Sequence, residues 1–152
     1  IFKKLSIDYD VSLIGFTDEL VDQDFLKKIN NKFIIWEEWI QLFDILKEFD
    51  LIITVDSVIY HLCNSMNIQF IGLFGWTSSK ALKTENSKCL HIDFSDPKNP
   101  CYSGCFNGKR KGQRPICSCN SKEINKPCKI FNKISANKVC SSVEKVIKES
   151  NY

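Results

Sequence analysis

The chain has no uninterrupted apolar run long enough to cross a bilayer, and nothing in it has the form of a secretion signal. A spanning helix needs about 20 consecutive apolar residues. The most apolar stretch, Leu51 to Phe74, is broken by Asp56, His61, Asn64 and Asn67. A soluble, cytoplasmic chain is therefore expected. Glycine-rich phosphate loops are also lacking: neither GxGxxG nor a P-loop occurs, which argues against an unrelated dinucleotide-binding or P-loop fold. There is no internal repeat, no low-complexity tract and no CxxC pair. Nor is there a strong charge of one sign. With 26% charged residues and a net charge of +3, nothing calls for a nucleic-acid partner.

What is present suits a globular protein. The 152 residues have the length of one domain, and 43% hydrophobic content is enough for a core. The chain starts at Ile1, just ahead of the Lys3-Lys4 pair, and is expected to be a piece of a longer protein. Val11 to Phe16 is a short β-prone run, and Val21, Phe25 and Ile29 then fall on one helical stripe between Asp18 and Ile29. Phe33 to Ile35 predicts a second strand. The three- and four-residue spacing of Trp36, Trp39, Ile40, Phe43 and Leu46 predicts an amphipathic helix with its tryptophans in the core. Leu51 to Val55 (LIITV) is apolar and β-branched, as a strand covered on both faces should be. Helical spacing returns at Val58, Ile59, Leu62, Cys63 and Met66, followed by a strand over Gln69 to Phe74. Repeated alternation of strand and helix predicts an α/β fold, a Rossmann-like, doubly wound parallel sheet.

After Gly75 the character changes. All four prolines and six of the eight cysteines lie beyond this point if Cys89 is set apart, and a last amphipathic helix carrying Val139, Val143, Val146 and Ile147 closes the chain. Three segments are expected: a core over 1–96, a basic Cys-rich loop excursion over 97–133, and a closing helix over 134–152 that packs on the core. Between Cys101 and Lys133 the charge balance is +7 in a chain whose total is +3. This is read as a solvated loop face in preference to a phosphate or lipid patch. Cys101, Cys105, Cys117, Cys119 and Cys128 offer thiolates to a tetrahedral metal. Cys63, Cys89 and Cys140 are expected in the core.

Ligands of open parallel sheets bind beyond the carboxyl ends of the strands. Asp56 and Ser57 sit where LIITV hands over to a helix, and His61 follows Ser57 by one turn on the same face. A helix N-terminus presents unbonded N–H groups and partial positive charge, which suit a diphosphate. Ser57 can either cap that helix or donate its hydroxyl.

The segment DLIITVDSVIYHLCNSMNIQFIGLFGWTS resembles the donor-site segment of glycosyltransferase family nine, the lipopolysaccharide heptosyltransferases, through Asp56, Ser57, His61, Leu62, Phe74, Gly75 and Thr77. The resemblance implies the C-terminal half of a two-domain GT-B fold that binds a nucleotide-diphosphate sugar, typically ADP-heptose. In that case the Asp lies near sugar and ribose, and the helix N-terminus lies on the diphosphate. Val58 stands where the family usually has Gly. Glu19, at the end of a strand and loop similar to the family's, implies a ribose contact. The implied donor-binding residues are thus Asp56, Ser57, Val58, His61, Glu19, Gly75 and Thr77. The catalytic base belongs to the N-terminal half of the family's fold, so no residue of this chain is assigned to catalysis. The branch that heptosylates autotransporters implies a structural iron (or zinc) on Cys101, Cys105, Cys119 and Cys128, with Cys117 in reserve. No organic cofactor is expected. The implied partners are the N-terminal GT-B domain and a glycan or protein acceptor, with peripheral contact at the inner face of the bacterial membrane. The rival reading is a non-catalytic, metal-stabilised interaction module derived from the same fold.

Overall fold

Wherever they are described, the short β-branched runs pair in parallel. The computed structural model describes residues 1–16, 33–75, 78–82, 88–94 and 133–150. The chain divides into two units, 1–50 and 51–152.

In the first unit, α1 (Phe2–Leu5) precedes β1 (Leu13–Phe16), β2 (Phe33–Trp36) and α2 (Trp39–Lys47). β1 and β2 are parallel, with Leu13 opposite Phe33 and Phe16 opposite Trp36. The helix expected over Asp18 to Ile29 lies outside the described residues, as does Glu19. At the start of α2, Gln41 reaches back, and its Oε1 accepts from the backbone N–H groups of Glu37 (3.0 Å) and Glu38 (3.2 Å). This is half of a capping box and holds the first turn in place.

The buried stripe of α2 differs from the one expected. Leu42 and Leu46 are fully buried, whereas Trp39 is 55% and Ile40 65% exposed. Trp36 is core, as expected, but it ends a strand. The helix therefore starts three residues later than the tryptophan spacing suggested, and its inward face follows the i, i+4 pair Leu42 and Leu46. The Trp39 ring lies 4.9 Å from that of Trp36, a tilted aromatic pair at the strand end.

The second unit holds β3 (Ile52–Val55), α3 (Val58–Ser65), β4 (Phe70–Phe74), a 3-10 turn (Ser79–Ala81), β5 (Cys89–Asp93) and α4 (Ala136–Ser150). The strands are all parallel in the order β3-β4-β5. In this register Gly72 is flanked by Thr54 and His91, and Phe74 by Asp93. β4 is central, and all five of its residues are buried. Paired residues of a sheet point to the same face. Thr54, Phe70, Gly72, Phe74, His91 and Asp93 therefore share one face, and Ile53, Val55, Ile71, Leu73, Leu90 and Ile92 the other.

α3 covers the first face through Tyr60, whose ring meets Phe70, Phe74 and His91 at centroid distances of 5.0, 5.4 and 5.7 Å. Gly72 makes room for it: a Cβ there would stand 2.9 Å from Phe74 Cε2 and 3.1 Å from Tyr60 Cε2. The helix ends in a Schellman motif. Ile68 N–H donates to the Cys63 carbonyl (3.0 Å) and Asn67 N–H to that of Asn64 (3.4 Å), with Asn67 at φ 55°. The chain can thus reverse directly into β4.

α4 closes the unit, as expected, burying Val139, Cys140, Val143 and Val146. Lys138 Nζ lies 4.7 Å over the Phe94 ring just past the end of β5. At the other end, Gln69 Nε2 donates to Ser150 Oγ (2.7 Å) just before β4 begins. α4 thus runs antiparallel to the strands. Its Val146 shares a cavity with Leu90, a residue of the second face. Parallel strands alternating with helices, closed by a C-terminal helix, make the Rossmann-like α/β arrangement expected. The excursion over 97–132 lies outside the described residues.

Gly72→Ala is expected to destabilise this unit by about 1–3 kcal/mol through overpacking against Tyr60 and Phe74. The measurement is the urea midpoint; an unshifted midpoint would mean that the Tyr60 ring is not seated on the glycine.

Candidate functional site

The register carries Asp56 and Ser57 (after β3), Gly75 (after β4) and Asp93 (the last residue of β5) to one edge of the sheet, the carboxyl edge. There α3 opens. Ser57 is its N-cap, with extended backbone (φ −150°, ψ 176°), and Val58 is its first residue. The N–H groups of a first helical turn have no i−4 carbonyl to bond, so the turn offers donors and partial positive charge at this edge.

Two of the three expected polar groups meet. His61 Nε2 lies 3.8 Å from Asp56 Oδ1, with the imidazole 59% exposed and the carboxylate 20%. This is an ion pair when the imidazole is protonated, and it is too long for a hydrogen bond. His61 stands one turn into α3, its N–H donating to the Ser57 carbonyl (3.3 Å).

Ser57 does not cap the helix with its side chain, and its hydroxyl is turned to a neighbour in the strand, hydrogen-bonded to Thr54 Oγ1 at 3.1 Å. Thr54 is 92% buried, as its 8% exposure shows, and it was not singled out in the sequence. Val58 is 43% exposed, so its isopropyl group stands at the surface of the helix start. Gly75 is buried. Glu19, Thr77 and the four proposed metal ligands Cys101, Cys105, Cys119 and Cys128 lie outside the described residues. Among the described residues, no group of three or more His, Cys, Asp or Glu side chains is placed to hold a metal.

Behind this edge lies a polar pair that sequence reasoning missed. Tyr60, 1% exposed, shares a hydrogen bond between its hydroxyl and His91 Nε2 at 2.9 Å. The His91 ring also meets that of Phe74 edge-on at 5.0 Å. Burial pushes the His91 pKa below its ordinary value, and the charge of Asp93 opposes the shift. A neutral imidazole results. The alternation of Cys89, His91 and Asp93 along one short strand was the available signal, since a period of two places all three on the face that α3 covers.

Cys63 is a core thiol, as expected, whereas Cys89 is only half-buried; the two are pushed up to about 11 and about 12, chiefly by desolvation. Cys140 is buried as well, in α4. A cavity of about 250 Å³ lies elsewhere, at the amino ends of β4 and β5, between Gln69, Lys88, Lys145 and Ser150.

Parallel strands alternating with helices, and polar side chains gathered where a helix begins at the carboxyl edge, define a Rossmann-like α/β unit. Residues 39–109 match the model of glycosyltransferase family 9 (heptosyltransferase). The matched stretch contains α2, the whole β3-β4-β5 sheet, Asp56, Ser57, His61, Gly75, Thr77, Cys101 and Cys105. It supports glycosyltransferase chemistry in general. Neither a curated protein nor a solved structure matches the chain.

The neutral His91 has a consequence for stability. Its folded pKa lies below the ordinary 6.5, so the unfolded chain takes up the proton first as pH falls. The contribution is fully present above pH 6.5 and is lost as pH drops through that value toward the lower folded one. Urea midpoints measured from pH 7.5 down to 4.5 are expected to fall in that window and to fall less in His91→Gln. Equal slopes in the two proteins would show that His91 does not couple folding to protons.

Proposed function

We propose that the carboxyl-edge crevice binds a nucleotide-diphosphate sugar, and that the chain is the donor-binding part of a glycosyltransferase. The donor would be ADP-heptose-like, carrying a heptose or a hexose. The acceptor would be a lipopolysaccharide or a protein. One observation carries the reading: Asp56 and His61 converge, 3.8 Å apart, at the N-terminus of α3, inside the stretch that matches the heptosyltransferase family model.

The chemistry follows from the geometry. Breaking the bond between the sugar's anomeric carbon and the diphosphate leaves negative charge on the departing nucleotide. N–H groups and the dipole at a helix start stabilise that charge where it forms. Asp56 accepts hydrogen bonds from sugar or ribose hydroxyls, and a protonated His61 adds positive charge beside the phosphates. Val58, in place of glycine, keeps the phosphates farther from the backbone. Thr77 and Glu19 extend the contacts to sugar and ribose. The base that activates the acceptor hydroxyl is assigned to the N-terminal GT-B domain, so these 152 residues by themselves bind donor without turning it over.

The same reading gives Cys101, Cys105, Cys119 and Cys128 a structural iron or zinc. Four thiolates are the donor set that such ions take in tetrahedral sites, and the metal would order a segment poor in apolar residues. The acceptor would bring the protein to the inner face of the cytoplasmic membrane as a peripheral protein. Among the described residues, no helix is long and apolar enough to cross a membrane.

Isothermal titration with ADP and with UDP tests the donor site. One of the two is expected to bind, with Asp56→Ala weakening it by roughly tenfold, the scale of one hydrogen bond to a charged group, and Val58→Gly tightening it. Failure of both nucleotides to bind would remove the reading. Elemental analysis of the purified chain is expected to find one iron or zinc, lost in Cys105→Ser. A metal-free, folded chain would remove the metal from it.

A further inference from the structure

We infer that Asp93 is a positioning residue for the donor crevice, holding the segment that leaves β4 through Ser78 and Ser79. The inference rests on the donor-site reading above but draws on different residues.

One oxygen of Asp93, Oδ2, accepts three hydrogen bonds: from Ser79 N–H (2.7 Å), Ser79 Oγ (2.7 Å) and Ser78 Oγ (3.1 Å). Ser78 is buried at 9% exposure and caps the 3-10 turn, its Oγ also accepting from Lys80 N–H (3.3 Å). The two strand ends are joined again one residue on, where Phe94 N–H donates to the Phe74 carbonyl (2.9 Å). The end of β5 thus grips the chain on both sides of the link from Gly75 to Ser78.

The location gives this grip a purpose beyond stability. Asp93 points to the face that α3 covers, the same face as Thr54 and His91. β5 is two strand spacings from β3, so Asp93 stands roughly 10 Å from the strand end that carries Asp56. The segment leaving β4 starts between them. Thr77 is joined directly to Ser78. Any contact that Thr77 makes with a ligand is therefore made one peptide bond from a residue that Asp93 holds. Three hydrogen bonds to one half-buried carboxylate oxygen fix a segment more tightly than exposed ones do. A loose segment costs binding, because the ligand must then order it.

The test is nucleotide titration of the full chain at a temperature where every variant is folded, alongside thermal unfolding. Asp93→Ala and the double variant Ser78→Ala/Ser79→Ala are each expected to weaken ADP or UDP binding by roughly tenfold. Combining them should cost no more than either alone, because both cut the same tie. Asp93→Asn, which keeps an acceptor oxygen, should retain most of the affinity. If Asp93→Ala does not fold, the serine double variant alone carries the test against wild type. Folded variants that bind as tightly as wild type would overturn the positioning role while leaving the donor reading intact, and so would losses that simply add. A wild-type chain that binds neither nucleotide overturns both.

Discussion

The seating of the Tyr60 ring over Gly72 is the contact on which the second unit depends. It joins three strands through one side chain, since Tyr60 belongs to the helix that follows β3, packs on Phe70 and Phe74 of β4, and hydrogen-bonds His91 of β5. Because α3 is short, fixing Tyr60 also fixes the N-cap of the helix three residues earlier. The placement of Ser57, Asp56 and His61 at the sheet edge is thus set from the core. The carboxyl edge takes its geometry from an aromatic cluster one layer below.

That dependence makes the polar groups of β5 more than lining. His91 is kept neutral by burial and serves as hydrogen-bond partner to Tyr60. Asp93, two residues on and facing the same way, ties down the turn after β4 and counteracts the depression of the His91 pKa. One strand therefore anchors the helix that opens the crevice and the segment that leaves the neighbouring strand. Register alone brings this about: a slip of one residue in β5 would turn Asp93 to the opposite face and leave Ser78 and Ser79 without their acceptor.

Much of the architecture was legible because strands covered on both faces read as nearly continuous apolar runs, and LIITV and QFIGLF are such runs. Helix α4 was legible from its apolar stripe. The tryptophan-rich segment was misread, because Trp36 and Trp39 share a helical spacing by coincidence. One ends a strand and the other starts a helix, and periodicity cannot see the boundary between them. At the site, Asp56 and His61 stood out because a strand–helix junction is where ligands bind, and the structure brings the two together. The tie between Ser57 and Thr54 was not legible, since two hydroxyls three residues apart can meet across a strand end or miss one another. Asp93 and its serines were hidden for a simpler reason: their meeting spans 14 residues and depends on strand register, which no local pattern encodes.

Charge decides which edge of the sheet suits an anionic ligand. The cavity at the amino edge sits beside the last turn of α4, where the helix end carries partial negative charge and Glu149 adds more. Its lysines do little to reverse this, because Lys145 is paired with Glu149 at 3.8 Å. The carboxyl edge is the converse. There α3 begins, its first turn carrying partial positive charge, and Asp56 just before it has the His61 imidazole beside it. In a parallel sheet every strand leads into its helix at the same edge, so helix N-termini collect there and C-termini collect at the other. The direction of the chain itself thus makes the carboxyl edge the more favourable one for an anionic ligand, before any particular side chain is considered.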